Sequence, residues 1–253
     1  MISWKTATVT AVLLLAAAAS PLCAWERRVY TRFASKKYGG QRISVRQRTP
    51  RGTVGGILPS PGQVKEAAER FFKALDALPE NFVQKSGLRY VTFLERPTHK
   101  DIPIGGLASG ETIYLNVSCS AKTIYHELFH IFDPRSADTR WSRLNRKNFI
   151  YTGSVYRSAH LSRARRRRVE SNVGSGEFNA DFVSRYAMSN EREDRAETFA
   201  AMMTEGANFL KRVEKSPVLR EKMLYIIEIT SKRKLMGRDF WNNHFRSPAG
   251  SKF

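Results

Sequence analysis

Ser120-Ala-Lys-Thr-Ile-Tyr-His126-Glu127-Leu128-Phe129-His130-Ile-Phe-Asp133-Pro134 has the marks of a bounded helix. Ser120 is a good N-cap. Asp133-Pro134 stops the helix, because the residue before a proline is pushed out of the helical region. Side chains four apart on a helix share one face. His126 and His130 therefore aim two imidazoles at one point. This arrangement suits a zinc ion, with Glu127 beside it, placed to take a proton from a water molecule. Leu128 and Phe129 point away and can pack the helix into a core. Zinc that does chemistry takes three protein ligands and leaves a place for solvent, so a further ligand must lie elsewhere in the chain.

A candidate follows in Tyr186-Ala-Met-Ser-Asn190-Glu191-Arg-Glu193-Asp194-Arg-Ala-Glu197-Thr-Phe199. Ser189 or Asn190 caps a helix that runs past Met203. Glu193 and Glu197 share a face with Ala196 and Ala200, whose small side chains allow close approach to another helix. Glu193 supplies the third ligand. Glu197, one turn on, accepts a hydrogen bond from the far nitrogen of a ligand histidine and fixes its tautomer. Taken alone, these acids read better as a solvated face beside Arg192 and Arg195. The histidine pair upstream turns the balance.

His-Glu-x-x-His followed by a helix-borne glutamate resembles the gluzincin metallopeptidases. The later segment is similar to one branch, the anthrax lethal factor catalytic domain and its bacterial relatives. That branch has a tyrosine, the ligand glutamate seven residues on, and Ala-Glu shortly after. Tyr186, Glu193 and Ala196-Glu197 stand at those spacings. Trp141-Ser-Arg-Leu144-Asn145 through Phe149-Ile-Tyr151-Thr-Gly153 is similar to a segment of uncharacterised bacterial zinc-binding metallopeptidases. The likeness covers about residues 110 to 205. It implies a zincin-like fold and peptide-bond hydrolysis, with Tyr186 donating a hydrogen bond to the oxyanion or leaving group. The stretch between His130 and Glu193 is longer than in lethal factor and carries the arginine run Arg163, Arg165–Arg168, which leaves substrate preference open.

The chain has 253 residues, a net charge of +20 and a pI near 10.3. Its hydrophobic content is that of a folded protein. Residues 1–24 read as a signal peptide: Lys5 is the positive region, Thr8 to Ser20 the apolar core, and Ala24 the cleavage position. Removing it lowers the charge from +20 to +19. The apolar run is too short for a comfortable membrane span, so no span is expected after cleavage. Cys23 and Cys119 are the two cysteines; losing Cys23 rules out an internal disulfide. Residues 25–59, basic and broken by Gly and Pro, read as a flexible segment. Residues 60–253 form the catalytic domain, with a basic, irregular insertion at about 135–176.

Within that domain, Ser60-Pro61 opens a helix with Val64, Ala67, Ala68, Phe71, Phe72 and Leu75 at helical spacing. Leu88 to Leu94 alternates as a strand, closed by Pro97, and Thr112 to Val117 is a second strand. Phe178 to Tyr186 reads as a short helix. About 217 to 236 is another, with Val218, Met223, Leu224, Ile227 and Ile229 on its apolar side. The fold class is α+β: a small sheet packed on the helix of the two histidines, with a helical C-terminal lobe.

The expected function is that of an exported, secreted or periplasmic, zinc-dependent endopeptidase acting on a protein or peptide substrate. Glu127 is its general base, and the substrate lies along Thr112 to Val117 as an edge strand. The competing class is a basic binding protein for an anionic surface or nucleic acid, its zinc site structural or inactive. The charge favours it, but no nucleic-acid-binding signature is present, so no specific nucleic acid is expected. His99, His160 and His244 have no ligand spacing. Cys119 reads as packing.

Overall fold

Val91, Thr92, Phe93 and Leu94 are all buried, as in a strand whose sheet is covered on both faces and whose neighbours run parallel. The computed structural model describes residues 35–47, 52–133, 139–153, 176 and 178–246. The four residues lie in β4 (Tyr90–His99). Around it stand β1 (Ser35–Tyr38), β2 (Gln41–Val45), β3 (Val54–Ile57), β5 (Ile102–Pro103), β6 (Gly106–Ser109) and β7 (Thr112–Asn116). The sheet order is β1-β2-β4-β7-β6, with β3 and β5 pairing β4 as well. β2 and β7 run parallel to β4; the other pairings are antiparallel.

Eight helices are described: α1 (Pro61–Asp76), α2 (Glu80–Lys85), α3 (Ala121–Phe132), α4 (Arg140–Leu144), α5 (Glu191–Glu205), α6 (Ala207–Lys215), α7 (Pro217–Lys232) and α8 (Arg238–Arg246). α1 opens as its sequence demands, with a reciprocal Ser60–Gln63 capping box and Pro61 in the first turn. It buries Val64, Ala67, Ala68, Phe71, Ala74 and Leu75. The hydrophobic core is one cluster from the sheet through α3 and α5 into the C-terminal helices. Among the described residues no helix is long and apolar enough to cross a membrane.

Several expectations need correction. Within residues 25–59, read as flexible, the chain forms β1, β2 and β3. β2 and β3 pair with β4, far along the sequence, β1 pairs with β2, and basic side chains sit comfortably at a sheet edge. Tyr38 anchors β1, its hydroxyl donating to Asp76 at 3.0 Å. Among the described residues the sheet has seven strands.

β4 does not stop at Pro97. Arg96 takes a left-handed backbone (φ 47), and beyond Leu94 the strand changes partners from β2 and β7 to β3 and β5. Thr112 to Val117 is not an edge: β7 lies between β4 and β6, and β6 is the edge. Phe178 to Tyr186 is not a helix, because two 3-10 turns form instead, Asn179–Asp181 and Tyr186–Met188. The insertion at about 135–176 is in part core, since α4 buries Trp141 completely.

The residues α7 buries fully are not the ones expected but Leu219, Lys222, Tyr225, Ile226 and Thr230, while Met223, Ile227 and Ile229 are partly buried against the core. Its polar members are satisfied inside. Lys222 meets Asp194, and the Thr230 hydroxyl donates to Ile226 O. The stripe of Met223, Leu224 and Ile227 instead lines a cavity of about 790 Å³ with Leu210, Trp241 and Phe245.

Candidate metal centre

α3 begins at Ser120, whose hydroxyl accepts from Thr123 N at 3.3 Å. Its inner face packs by Ile124, Tyr125, Leu128 and Phe129, all buried. The Tyr125 hydroxyl donates to Ala74 O at 2.9 Å and ties the helix to α1. α5 begins at Asn190, whose side chain accepts from Arg192 N at 3.0 Å and Glu193 N at 3.1 Å. Glu193 therefore leaves the first turn of a firmly capped helix. Ala196 and Ala200 are fully buried. Phe199 interlocks with Phe129, ring centroids 4.9 Å apart.

Three donor atoms converge as a result. His126 Nε2 and His130 Nε2 are 3.0 Å apart, and each is 3.0 Å from Glu193 Oε2. Zinc bonds of about 2.0–2.1 Å in tetrahedral geometry place donors roughly 3.3 Å from one another. The cluster meets that spacing with slight spreading. Two imidazole nitrogens and one carboxylate are the donor set of a catalytic zinc site. Among the described residues this is the group of His, Cys, Asp and Glu side chains able to hold a metal.

Around the triad the partners are specific. Glu197 Oε1 lies 2.9 Å from His126 Nδ1. Its Oε2 accepts from Ser184 Oγ at 2.7 Å and pairs with Lys122 Nζ at 3.0 Å. The sequence gives no signal for Lys122 or Ser184, since a lysine two residues into a helix looks like any surface lysine. Arg195 pairs with Asp133, the C-cap of α3, at 2.9 Å, so it is no solvated face. His130 Nδ1 is buried without a hydrogen-bond partner among the described residues.

Burial disfavours a charged ring at His126, but its hydrogen bonds to Glu193 and Glu197 outweigh it and push its pKa up to about 10. Burial and the neighbouring His126 lower that of His130. Burial raises Glu193, yet its contacts with both rings leave it well below the usual carboxylate range. Glu197 falls the same way, to about 2, through His126.

Glu127 is buried next to this cluster, and burial pushes it up to about 7 against the pull of His126. The Ala108 backbone of β6 also pulls it down in part. Gly106 explains how the edge strand comes so near: a Cβ there would lie 2.7 Å from Glu127 Cγ. In the sequence, the Gly105-Gly106 pair is the one trace of that approach. Tyr186, nearly half exposed, sits on the 3-10 turn with its ring centroid 5.8 Å from that of His126.

The other candidates lie apart. His244 is buried, with Nε2 2.9 Å from Met202 O. Cys119 is partly buried, its thiol raised to about 11 by burial. His160, the arginine run Arg163, Arg165–Arg168 and residues 1–24 lie outside the described residues.

A mixed sheet, a helix carrying two histidines and a second helix bringing a carboxylate to them define a metallopeptidase fold of the His-Glu-x-x-His type. The family described as "Putative zinc-binding metallo-peptidase" matches residues 109–245, and the chain belongs to it. A crystal structure from Bacteroides caccae bearing the same description is similar, with a TM-score of 0.53 and 14% identity over 80% of this chain and 84% of that one. At that identity the likeness shows a shared fold. No curated protein matches the chain.

Proposed function

We propose that this chain is an exported zinc-dependent endopeptidase, in which His126, His130 and Glu193 hold the ion and Glu127 is the general base. The observation that carries the reading is the three-way approach of His126, His130 and Glu193 at 3.0 Å, with Glu127 buried alongside. Zinc, when bound, supplies Lewis-acid polarisation and activation of water near neutral pH. Glu127 takes the proton of the attacking water and returns it to the leaving amine. Proton transfer is most effective when the base has a pKa near the working pH, and burial brings Glu127 there. Glu197 holds His126 by Nδ1, so that Nε2 faces the ion. Tyr186, beside the His126 ring, donates a hydrogen bond to the oxyanion.

The substrate lies extended along β6, the edge strand that comes against Glu127 at Gly106. The apolar stretch Thr8 to Ser20 behind Lys5 supports export to the periplasm or beyond. Cleavage of an unstructured protein such as casein tests the reading. The wild type is expected to cut and Glu127→Ala to lose the activity. Equal cutting by both proteins contradicts it.

A further inference from the structure

Asp194 follows Glu193 directly and is completely buried. Its Oδ2 collects three donors, each at 2.9 Å: Trp141 Nε1, the Tyr151 hydroxyl and Lys222 Nζ. Lys222 is equally buried and also donates to Asp181 O at 3.1 Å. The Tyr151 hydroxyl accepts in turn from Asn145 Nδ2 at 2.9 Å. The donors come from three separate places: α4, the segment 149–153 and α7.

A buried ion pair is a poor way to gain stability, because desolvation offsets much of the attraction and apolar side chains of similar volume often do as well. What such a cluster supplies is direction. Glu193 is held on both sides in sequence, by the Asn190 cap before it and by Asp194 after it. The segment that carries Tyr151 also grips the preceding turn. Thr152 N donates to Met188 O at 2.9 Å, and Gly153 N to Ser189 O at 2.8 Å. The Glu193 carboxylate must meet two ring nitrogens at once, so small shifts of its backbone matter.

We infer that Asp194 is a positioning residue which, fixed by Lys222, Trp141 and Tyr151, sets where the Glu193 carboxylate meets the metal. This rests on the zinc reading above and extends it to residues that touch neither ion nor substrate. The test is zinc affinity, measured by competition with a chelator on purified full-length protein. Asp194→Asn keeps the shape of the side chain, and Tyr151→Phe removes one donor while keeping the ring. Trp241→Phe removes a bond to Thr230 Oγ1 (3.2 Å) from a buried residue outside the cluster and serves as the control.

Asp194→Asn is expected to weaken zinc binding about 10- to 100-fold. Tyr151→Phe is expected to weaken it about 2- to 10-fold. Trp241→Phe is expected to keep wild-type affinity whatever stability it loses. The rise in Tm that zinc produces should shrink in the two cluster variants and not in the control. Should Asp194→Asn fail to fold, Tyr151→Phe decides alone. Unchanged affinity in the folded cluster variants, or an equal drop in all three, overturns the positioning role and leaves the metal centre standing. A wild type that binds no zinc overturns both.

Discussion

α3 and α5 supply the two halves of the same site and are built on opposite plans. α3 is two-sided: its apolar face meets the core, while Ala121, Lys122 and Thr123 at its start are partly exposed. α5 is enclosed, with every residue from Asp194 to Met203 buried. Its charged members have specific partners: Asp194 with Lys222, Arg195 with Asp133, and Glu197 with His126 and Lys122. The difference suggests a division of labour. α3 carries His126 and Glu127 within its buried stretch and is open chiefly at its first turn, and α5 carries Glu193 just before an enclosed run of partnered charges. Substitutions in α5 should then damage the fold, and those on the site face of α3 should damage chemistry with little effect on folding.

The largest expected effect follows from Phe199 in α5. Its ring is fully buried against Phe82, Phe129, Tyr125 and Trp241. Phe199→Ala should cost about 3–5 kcal/mol in urea unfolding. A loss under about 1 kcal/mol would break the contrast. On α3, Glu127→Gln should lower turnover about 10²- to 10⁴-fold while the unfolding midpoint barely moves. A matching loss of stability would mean that Glu127 serves the fold.

A smaller effect sharpens the picture of how α5 tunes α3. In the metal-free protein Glu193 and Glu197 hold a proton on His126 up to about pH 10. Zinc needs the unprotonated nitrogen, so binding near neutrality releases that proton, and affinity should rise about tenfold per pH unit between roughly pH 6 and 8. A chelator competition that gives one affinity across this range would contradict the contact. The smallest effects are at the caps. Asn190 accepts two backbone N–H groups and Ser120 one. Asn190→Ala should therefore cost more than Ser120→Ala, within about 0.5–2 kcal/mol for either. The reverse order would argue against the firmer anchoring of α5.

The same contrast explains what could be read from sequence. α3 was legible from end to end because its signals are local: a cap, a four-residue spacing and a proline stop. The place of Glu193 was legible only through the histidines upstream and the Asn190 cap. The clamp on Asp194 was not, since Trp141, Tyr151 and Lys222 come from three distant segments and a lone lysine in a helix carries no mark of burial. For the same reason the full burial of Lys222 and Thr230 in α7 has no mark in the sequence, as both look like surface residues. β1 to β3 are hard to read because β2 and β3 find their partner in β4, far along the chain, and β1 in turn depends on β2. Nor does the sequence show the role of Gly106, whose missing Cβ is what lets β6 lie against Glu127.

Metal analysis of the purified protein tests the meeting of α3 and α5 most directly. One zinc ion per wild-type chain, lost when Glu193 is replaced by alanine while the fold persists, is the expected result. A wild type that takes up no zinc when supplied, or a Glu193→Ala protein that keeps its full complement, would contradict it.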